Sequence, residues 1–301
     1  MDDRIRHPRA PWIITALAVA GAAALAVGVV LTPSGRSDSL EDVEASAVPS
    51  PTVSPTAAAV PTDSGPPADV TVYDTAALPQ IDVWSVNAAL PVDDDPFGVL
   101  TGELARPLAR APIFAAPGGA PIGYLARDAA YGGAIVPVVV HDTHWVKVLL
   151  SGRQGRPPEG SAAQAVGWLR AADVEFSFAT SYVDVQLTAH TIDIVGATGR
   201  ERVASDFSWG KESTPTPVGR TFIMLTRVVP EFAYTRGHPL VYLGVQSPTL
   251  AGFDGGEVAV TAFHYYHERS GPNSFGCIYL DGPATDRLAQ LPAGTPVLIS
   301  P

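Results

Sequence analysis

The chain has 301 residues and a formal net charge of −11, and this length leaves room for two domains plus non-globular segments. Its 28 glycines and 29 prolines interrupt long helices, so the composition favours a mainly β chain over a helical bundle. Residues 36–100 carry −10 of the charge, so the remainder is nearly neutral and lacks the basic surface typical of nucleic-acid binding. A single cysteine, Cys277, excludes an internal disulfide.

The amino-terminal region has the pattern of a membrane anchor. Residues 1–11 contain three arginines and are followed by an uncharged run at 12–31, which matches the roughly 20 residues of a membrane-spanning helix. The arginines predict a cytoplasmic tail at 1–11 and an extracytoplasmic remainder. A cleaved signal peptide is the alternative, but its apolar core usually has only about 7–15 residues. We therefore expect a single-pass protein of the cell membrane.

The next two segments differ in apolar content. Residues 32–70 contain six prolines from Pro49 to Pro67 among Ser, Thr, Ala and acidic residues, which predicts a disordered linker. Residues 71–105 are more apolar, although the run Asp93-Asp94-Asp95 interrupts any regular element. We expect an ordered, extended lead-in that packs against the following domain.

Residues 106–177 show short apolar strands separated by turns. The segments I-V-P-V-V (135–139), W-V-K-V-L-L (145–150) and G-W-L (167–169) occur in the order seen in bacterial SH3-like small barrels, which this region resembles. The chain from Gly152 to Ala165 is expected to form a long loop between two strands. His141 and His144 lack a nearby third ligand, so a hairpin surface is favoured there over a metal site.

Residues 181–301 are again predicted to be rich in β-strands. Apolar residues alternate with polar ones at 183–187 and 192–194, which predicts a hairpin. The prolines of T-P-T-P (214–217) keep the chain extended, and a strand is expected at 221–226. A loop rich in Gly, Pro and Ser is expected before a strand at 258–263 that ends at His264, and a final turn leads into a closing strand.

Cys277 and His264 form a candidate nucleophile and base, thirteen residues apart (277 − 264). A thiol becomes a good nucleophile when a histidine within hydrogen-bond reach takes its proton, and His267 is the reserve base. Gly276 permits close approach of a substrate, and the amides of Gly276 and Cys277 could stabilise an oxyanion. A zinc site built from these two histidines and the thiol lacks a fourth ligand, and an inert buried cysteine is the remaining structural alternative.

Four segments in this order resemble the L,D-transpeptidase catalytic domain, in the form that follows an SH3-like domain in actinobacteria. They are T-P-T-P-V-G-R-T-F (214–222), V-T-A-F-H (260–264), S-F-G-C-I (274–278) and G-T-P-V-L-I (294–299). The resemblance implies that Cys277 is the nucleophile, that His264 is the base, that Gly276 supplies an oxyanion amide, and that Ser274 and Phe275 support the site. It also implies peptidoglycan stem peptides as substrates, cross-linking through an acyl-enzyme, and no cofactor or metal. We expect a monomer.

Three residues depart from the family pattern: Tyr265 replaces a small residue, Phe275 a histidine and Tyr279 an Arg or Asn. We treat Tyr265, Tyr279 and His267 as candidate substrate contacts. The aromatic replacements keep open a second function, a catalytically silent module that binds or regulates the cell wall. A sortase is disfavoured, because sortases carry a T-L-x-T-C motif and place their histidine much further upstream.

Overall fold

The structure, a computed structural model, describes residues 65–301. These residues form two β-sheets with one short α-helix and three short 3₁₀ turns, so the predicted mainly β fold is confirmed. The predicted cytoplasmic tail (1–11), membrane helix (12–31) and most of the linker (32–70) lie outside the described residues. Within residues 65–301, no helix has the length and hydropathy needed to cross a membrane.

The first sheet is antiparallel and contains seven strands, in the spatial order β3-β2-β6-β5-β4-β1-β7. In chain order they are β1 (Glu103–Pro107), β2 (Arg110–Phe114), β3 (Pro121–Ala126), β4 (Val136–His141), β5 (Trp145–Leu150), β6 (Ala165–Arg170) and β7 (Val174–Phe178). The predicted long loop lies between β5 and β6. His141 ends β4 and His144 lies in the turn before β5, so both histidines belong to the predicted hairpin.

The second sheet contains ten strands in the order β10-β9-β8-β17-β12-β13-β14-β16-β11-β15. In chain order they are β8 (Ser181–Gln186), β9 (Thr191–Gly196), β10 (Gly199–Ala204), β11 (Ser208–Gly210), β12 (Gly219–Arg227), β13 (Leu240–Gln246), β14 (Val260–Tyr265), β15 (Gly271–Ser274), β16 (Ile278–Leu280) and β17 (Pro296–Ser300). The pairs β8–β17, β14–β16 and β11–β15 are parallel.

A strand and a helix of this region show where the sequence-based prediction fails. The region predicted as a Gly/Pro/Ser-rich loop contains β13, which pairs with β12 on one side and β14 on the other. The prediction was wrong here because the apolar run L-V-Y-L-G-V-Q is short and lies among turn-forming residues. The short helix α1 (Gly282–Leu288) was also missed; the Asp281 side chain caps it by accepting a hydrogen bond from the Ala284 amide.

Strand β12 contributes to the cores beside both sheets. Phe222 and Met224 pack in the apolar cluster of the first sheet, whereas Ile223 packs in the cluster of the second. This division follows from the two-residue period of a strand, which sends successive side chains to opposite faces. Both faces of β12 are therefore buried, and its residues 219–224 are all buried.

The acidic run of the lead-in joins the two sheets. Asp93 makes a bidentate ion pair with Arg220 at the start of β12, with N–O distances of 2.7 and 2.8 Å. Asp94 pairs with Lys147 of β5 in the first sheet at 2.6 Å. The lead-in also buries Ile81 and Leu90, which are 2% and 0% exposed. The run therefore interrupts regular structure, as predicted, and also contacts both sheets.

Candidate active site

Adjacent parallel strands bring the predicted nucleophile and base onto one face of the second sheet. Strand β14 pairs with β16 so that Phe263 lies beside Ile278 and His264 beside Tyr279. Cys277 immediately precedes β16 and therefore lies next to Ala262. Because side chains alternate along a strand, Cys277 and His264 point to the same face, while Phe263 and Ile278 point into the opposite core.

His264 is positioned as a neutral base. Its side chain is buried, and Nδ1 lies 3.0 Å from the backbone carbonyl of Tyr265. A carbonyl can only accept, so Nδ1 carries the proton and Nε2 keeps its lone pair. Burial lowers the pKa of His264, although the hydrogen bond to Tyr265 opposes that effect. Nε2 is therefore the atom that can accept a proton near neutral pH.

The thiol of Cys277 is half-buried and protonated in the resting site. Burial raises its pKa to about 11, and a hydrogen bond from the Ala262 amide only partly offsets this. The thiol donates to the Val260 carbonyl, with an S–O distance of 3.9 Å. Val260 and His264 lie on opposite sides of Ala262 along β14, so the S–H bond is directed away from the imidazole. Catalytic hydrogen bonds often form only when substrate binds, so this orientation is compatible with a Cys–His pair.

Hydroxyl groups hold the turn that carries the thiol. Within the turn, Ser274 Oγ accepts from the Gly276 amide at 3.1 Å and donates to the Cys277 carbonyl at 2.5 Å. From outside, Thr214 donates to the Ser274 carbonyl at 3.0 Å and Thr216 donates to the Gly276 carbonyl at 2.9 Å. The turn needs Gly276, because its φ of +107° is one that side chains rarely adopt.

This network places the predicted supporting residues in distinct roles. The Ser274 hydroxyl lies at the centre of the turn and is fully buried. The Gly276 amide, predicted as an oxyanion donor, is directed at Ser274 Oγ in this state. The prolines of the T-P-T-P segment predict its extended backbone, whereas its two threonines make the contacts with the turn. The sequence carries no signal for these long-range contacts.

Four tyrosines surround the Cys–His face. The ring of Tyr279 lies 4.8 Å from that of His264 and 4.7 Å from that of Tyr266, and Tyr234 lies 5.5 Å from His264. Tyr242 on β13 pairs with Ala262, the neighbour of the thiol. Of these four tyrosines, only Tyr279 is predicted as a site residue from the sequence. Tyr242 lies on β13, which is predicted as loop, and Tyr234 comes from a distant turn. Tyr266 follows His264 by two residues, so the two-residue period of the strand could have identified it.

The phenols are close enough to the thiol to respond to its charge. Burial is the main cause that raises the pKa of Tyr242 and of Tyr279 to about 12, and a negative charge on Cys277 is the next largest. The pKa of Tyr234 is raised for the same two reasons. All three hydroxyl groups therefore stay protonated at neutral pH and can donate hydrogen bonds.

The remaining predicted site residues lie around the periphery. Phe275 is 53% exposed, and the ammonium of Lys211 lies 4.3 Å from its ring centre. Tyr265 points to the opposite face of β14, where it stacks on His238 at 5.1 Å. His267 is exposed and lies 3.7 Å from Glu268. The structure therefore brings Tyr279 to the Cys–His pair but does not bring Tyr265 or His267 there, and their substrate contacts stay predictions.

Comparisons with known proteins find a structural likeness to solved L,D-transpeptidases. No family model and no curated protein matches the sequence. An L,D-transpeptidase from Mycobacterium smegmatis is 16% identical with a TM-score of 0.31, over 52% of this chain and 91% of that one. L,D-transpeptidase LdtMt1, in complex with imipenem, is 16% identical with a TM-score of 0.32, over 57% and 96%.

The catalytic domain of an E. faecium L,D-transpeptidase is 20% identical with a TM-score of 0.27, over 40% of this chain and 95% of that one. At these identities and TM-scores the likeness assigns no activity, substrate or partner to the chain. The solved structures that the chain resembles are L,D-transpeptidases.

Proposed function

We propose that the protein is a membrane-anchored cysteine L,D-transpeptidase that cross-links peptidoglycan stem peptides through a Cys277 acyl-enzyme. One observation carries this proposal: adjacent parallel strands present the thiol and a neutral imidazole on one buried face. A Cys–His pair of this kind supports nucleophilic acyl transfer without a cofactor.

The proposed reaction begins with proton transfer from Cys277 to Nε2 of His264 as the sulfur attacks the carbonyl of the third stem residue. The S–C bond forms while the carbonyl π electrons move to oxygen. Collapse of the adduct breaks the C–N bond, and the departing D-alanine amine takes the proton from His264. An amine of a second stem then attacks the thioester, forms the new amide bond and releases the sulfur of Cys277. His264 takes the proton that the attacking amine loses and passes it to that sulfur.

The proposal also includes the domain assignment and the membrane anchor of the chain. We assign the first sheet to the SH3-like barrel predicted at 106–177 and the second to the catalytic domain predicted at 181–301. Residues 12–31 anchor the chain with its amino terminus in the cytoplasm, and the acidic linker holds the catalytic face on the cell-wall side. Such an anchor fits a substrate that is itself immobilised outside the membrane.

The proposal is tested by intact-mass spectrometry of the full-length protein, in detergent, after incubation with imipenem. The wild type should gain one adduct, and Cys277→Ala should gain none. His264→Ala should be acylated far more slowly, whereas His141→Ala, which changes an imidazole in the first sheet, should match the wild type. Full acylation of Cys277→Ala would refute the covalent mechanism through this thiol.

A catalytically silent wall-binding module is the second candidate, favoured by one specific feature. Burial keeps the thiol protonated, and its hydrogen bond runs to Val260 instead of toward the base. On that hypothesis the wild type would resist imipenem while its thiol still reacted with iodoacetamide, and the protein would co-sediment with purified peptidoglycan. Acylation of the wild type rules this candidate out.

A further inference from the structure

The proposed acyl transfer requires hydrogen-bond donors for the oxyanion, and two groups of the catalytic turn are already used. An oxyanion site presents donors about 2.7–3.1 Å from the oxygen on which charge develops. The Gly276 amide is directed at Ser274 Oγ, and the Ser274 hydroxyl proton is directed at the Cys277 carbonyl. Both bonds shape the turn, and redirecting either of them would loosen it. A further donor beside the sulfur is therefore of mechanistic value.

Tyr279 places a phenol at this position. It follows Cys277 by two residues, so both side chains leave the same face of the sheet. Contacts with the rings of His264 and Tyr266, at 4.8 and 4.7 Å, fix its orientation. Burial is the main cause that raises the pKa of this phenol, and a negative charge on the sulfur is the next largest. The Tyr279 ring and the thiol therefore lie on the same face of the sheet, beside the imidazole of His264.

The backbone of the turn leaves the phenol proton available. The Phe275 amide faces the phenol oxygen and is one of the influences on its ionisation. An amide N–H directed at this oxygen uses one of its acceptor positions, so the phenol O–H points away from the amide. Accepting a hydrogen bond also polarises the O–H group and makes it a better donor.

We propose that the Tyr279 hydroxyl is a catalytic residue of this chain and donates a hydrogen bond to the oxyanion formed when Cys277 attacks a substrate carbonyl. The role rests on the proposed function. As the S–C bond forms, the carbonyl electron pair moves to oxygen and the thiol proton moves to His264. Tyr279 keeps its own proton and stabilises the new charge by hydrogen bonding alone. When the adduct collapses, the electron pair returns to re-form the carbonyl and the hydrogen bond weakens.

If the Tyr279 hydroxyl has this role, it accelerates one reaction of the Cys277 sulfur and leaves another unchanged. Attack on the imipenem carbonyl passes through an oxyanion, whereas alkylation by iodoacetamide displaces iodide from a saturated carbon and forms none. Tyr279→Phe keeps the ring that packs on His264 and removes only the hydroxyl group. Loss of one oxyanion donor should slow acylation about 10²–10³-fold. Alkylation should proceed at the wild-type rate, because the thiol and its base are unchanged.

The experiment measures both rates on the full-length protein in detergent, by intact mass, for the wild type, Tyr279→Phe and Tyr182→Phe. Tyr182 is the matched control, since it lies on β8, four strands from β14 in the same sheet. Slow acylation with normal alkylation, seen only in Tyr279→Phe, supports the role. Equal loss of both rates would show that the hydroxyl merely maintains the packing, and equal retention would show that it is not used; either result overturns it.

The same data separate this role from the proposed function. A wild type that is acylated as fast as Tyr279→Phe overturns the role of the hydroxyl alone. A wild type that is alkylated but never acylated overturns the acyl-transfer function, and with it the oxyanion role of Tyr279.

Discussion

The protonation state of the Cys277–His264 pair determines how the thiol should respond to pH. Burial raises the pKa of the thiol to about 11, so roughly one molecule in ten thousand is thiolate at pH 7. Internal proton transfer to His264 yields fewer still, because burial lowers the pKa of that imidazole below its ordinary value of 6.5. The resting pair is therefore neutral, and an ion pair is a minor species.

We accordingly expect the rate of iodoacetamide alkylation to increase about tenfold for each pH unit between pH 7 and pH 10, since only the thiolate reacts. The assay is intact-mass spectrometry of the full-length protein at a series of pH values. The same protein unfolded in urea is the control, and its alkylation should level off near pH 9, because an ordinary cysteine has a pKa of about 8.5. The difference between the two profiles measures the effect of burial.

A rate that is already constant below pH 7 would refute this reasoning. Such a plateau is the signature of a preformed thiolate–imidazolium pair, in which the histidine has taken the proton before any substrate binds. It would mean that the electrostatic attraction between the two groups exceeds the cost of their desolvation. The mechanism would then begin from an ion pair instead of from two neutral groups.

Two further predictions concern the supports of the site. Asp93→Asn removes the bidentate carboxylate from Arg220, a side chain that is 5% exposed and that then keeps only the weaker attraction of Asp95 and Asp94, so the free energy of unfolding should fall, by at most about 3–5 kcal/mol, in urea titrations. Asp94→Asn breaks an ion pair whose carboxylate is 77% exposed and is the control that should change stability less; equal losses would contradict the argument. Thr216→Val removes both the donor to the Gly276 carbonyl and the acceptor of the Gly210 amide, and it should slow imipenem acylation while leaving the fold intact by circular dichroism, whereas an unchanged rate would show that this hydroxyl group does not position the turn.

Local patterns predicted the backbone of the catalytic sheet better than its contacts. Alternating residues predicted the β8–β9 hairpin, and the segment ending in His264 predicted β14. Strand β13 was not predicted because its seven residues lie between turn-forming stretches. This length is too short to show a clear two-residue alternation of apolar and polar side chains. Helix α1 is also short, and only Asp281 followed by an early proline signalled its start.

Contacts between residues far apart in the chain could not be predicted from local sequence patterns. The Arg153 guanidinium, 1% exposed in the loop after β5, donates at 2.7 Å to the carbonyls of Ala251 and Glu257 in the segment before β14. Any residue supplies a carbonyl, so no pattern at 251–257 identifies the partner. The same limitation applies to Tyr242, which joins the site only because β13 pairs with β14, and to Tyr234, which the turn at Ala233–Thr235 brings to His264.

Tyr279, the aromatic replacement that lies beside the Cys–His pair, and the tyrosines around it have a common physical consequence for the proposed mechanism. Burial of Cys277 among these rings raises the energy of the free thiolate and makes the thiol slow to react with electrophiles that need one. The same burial strengthens any hydrogen bond made to charge that develops in the site. A buried neutral pair therefore reacts best with a carbonyl that lets proton transfer to His264 and oxyanion stabilisation occur together. On this reasoning, Tyr279 and its neighbours favour acyl transfer over nonspecific alkylation instead of silencing the site.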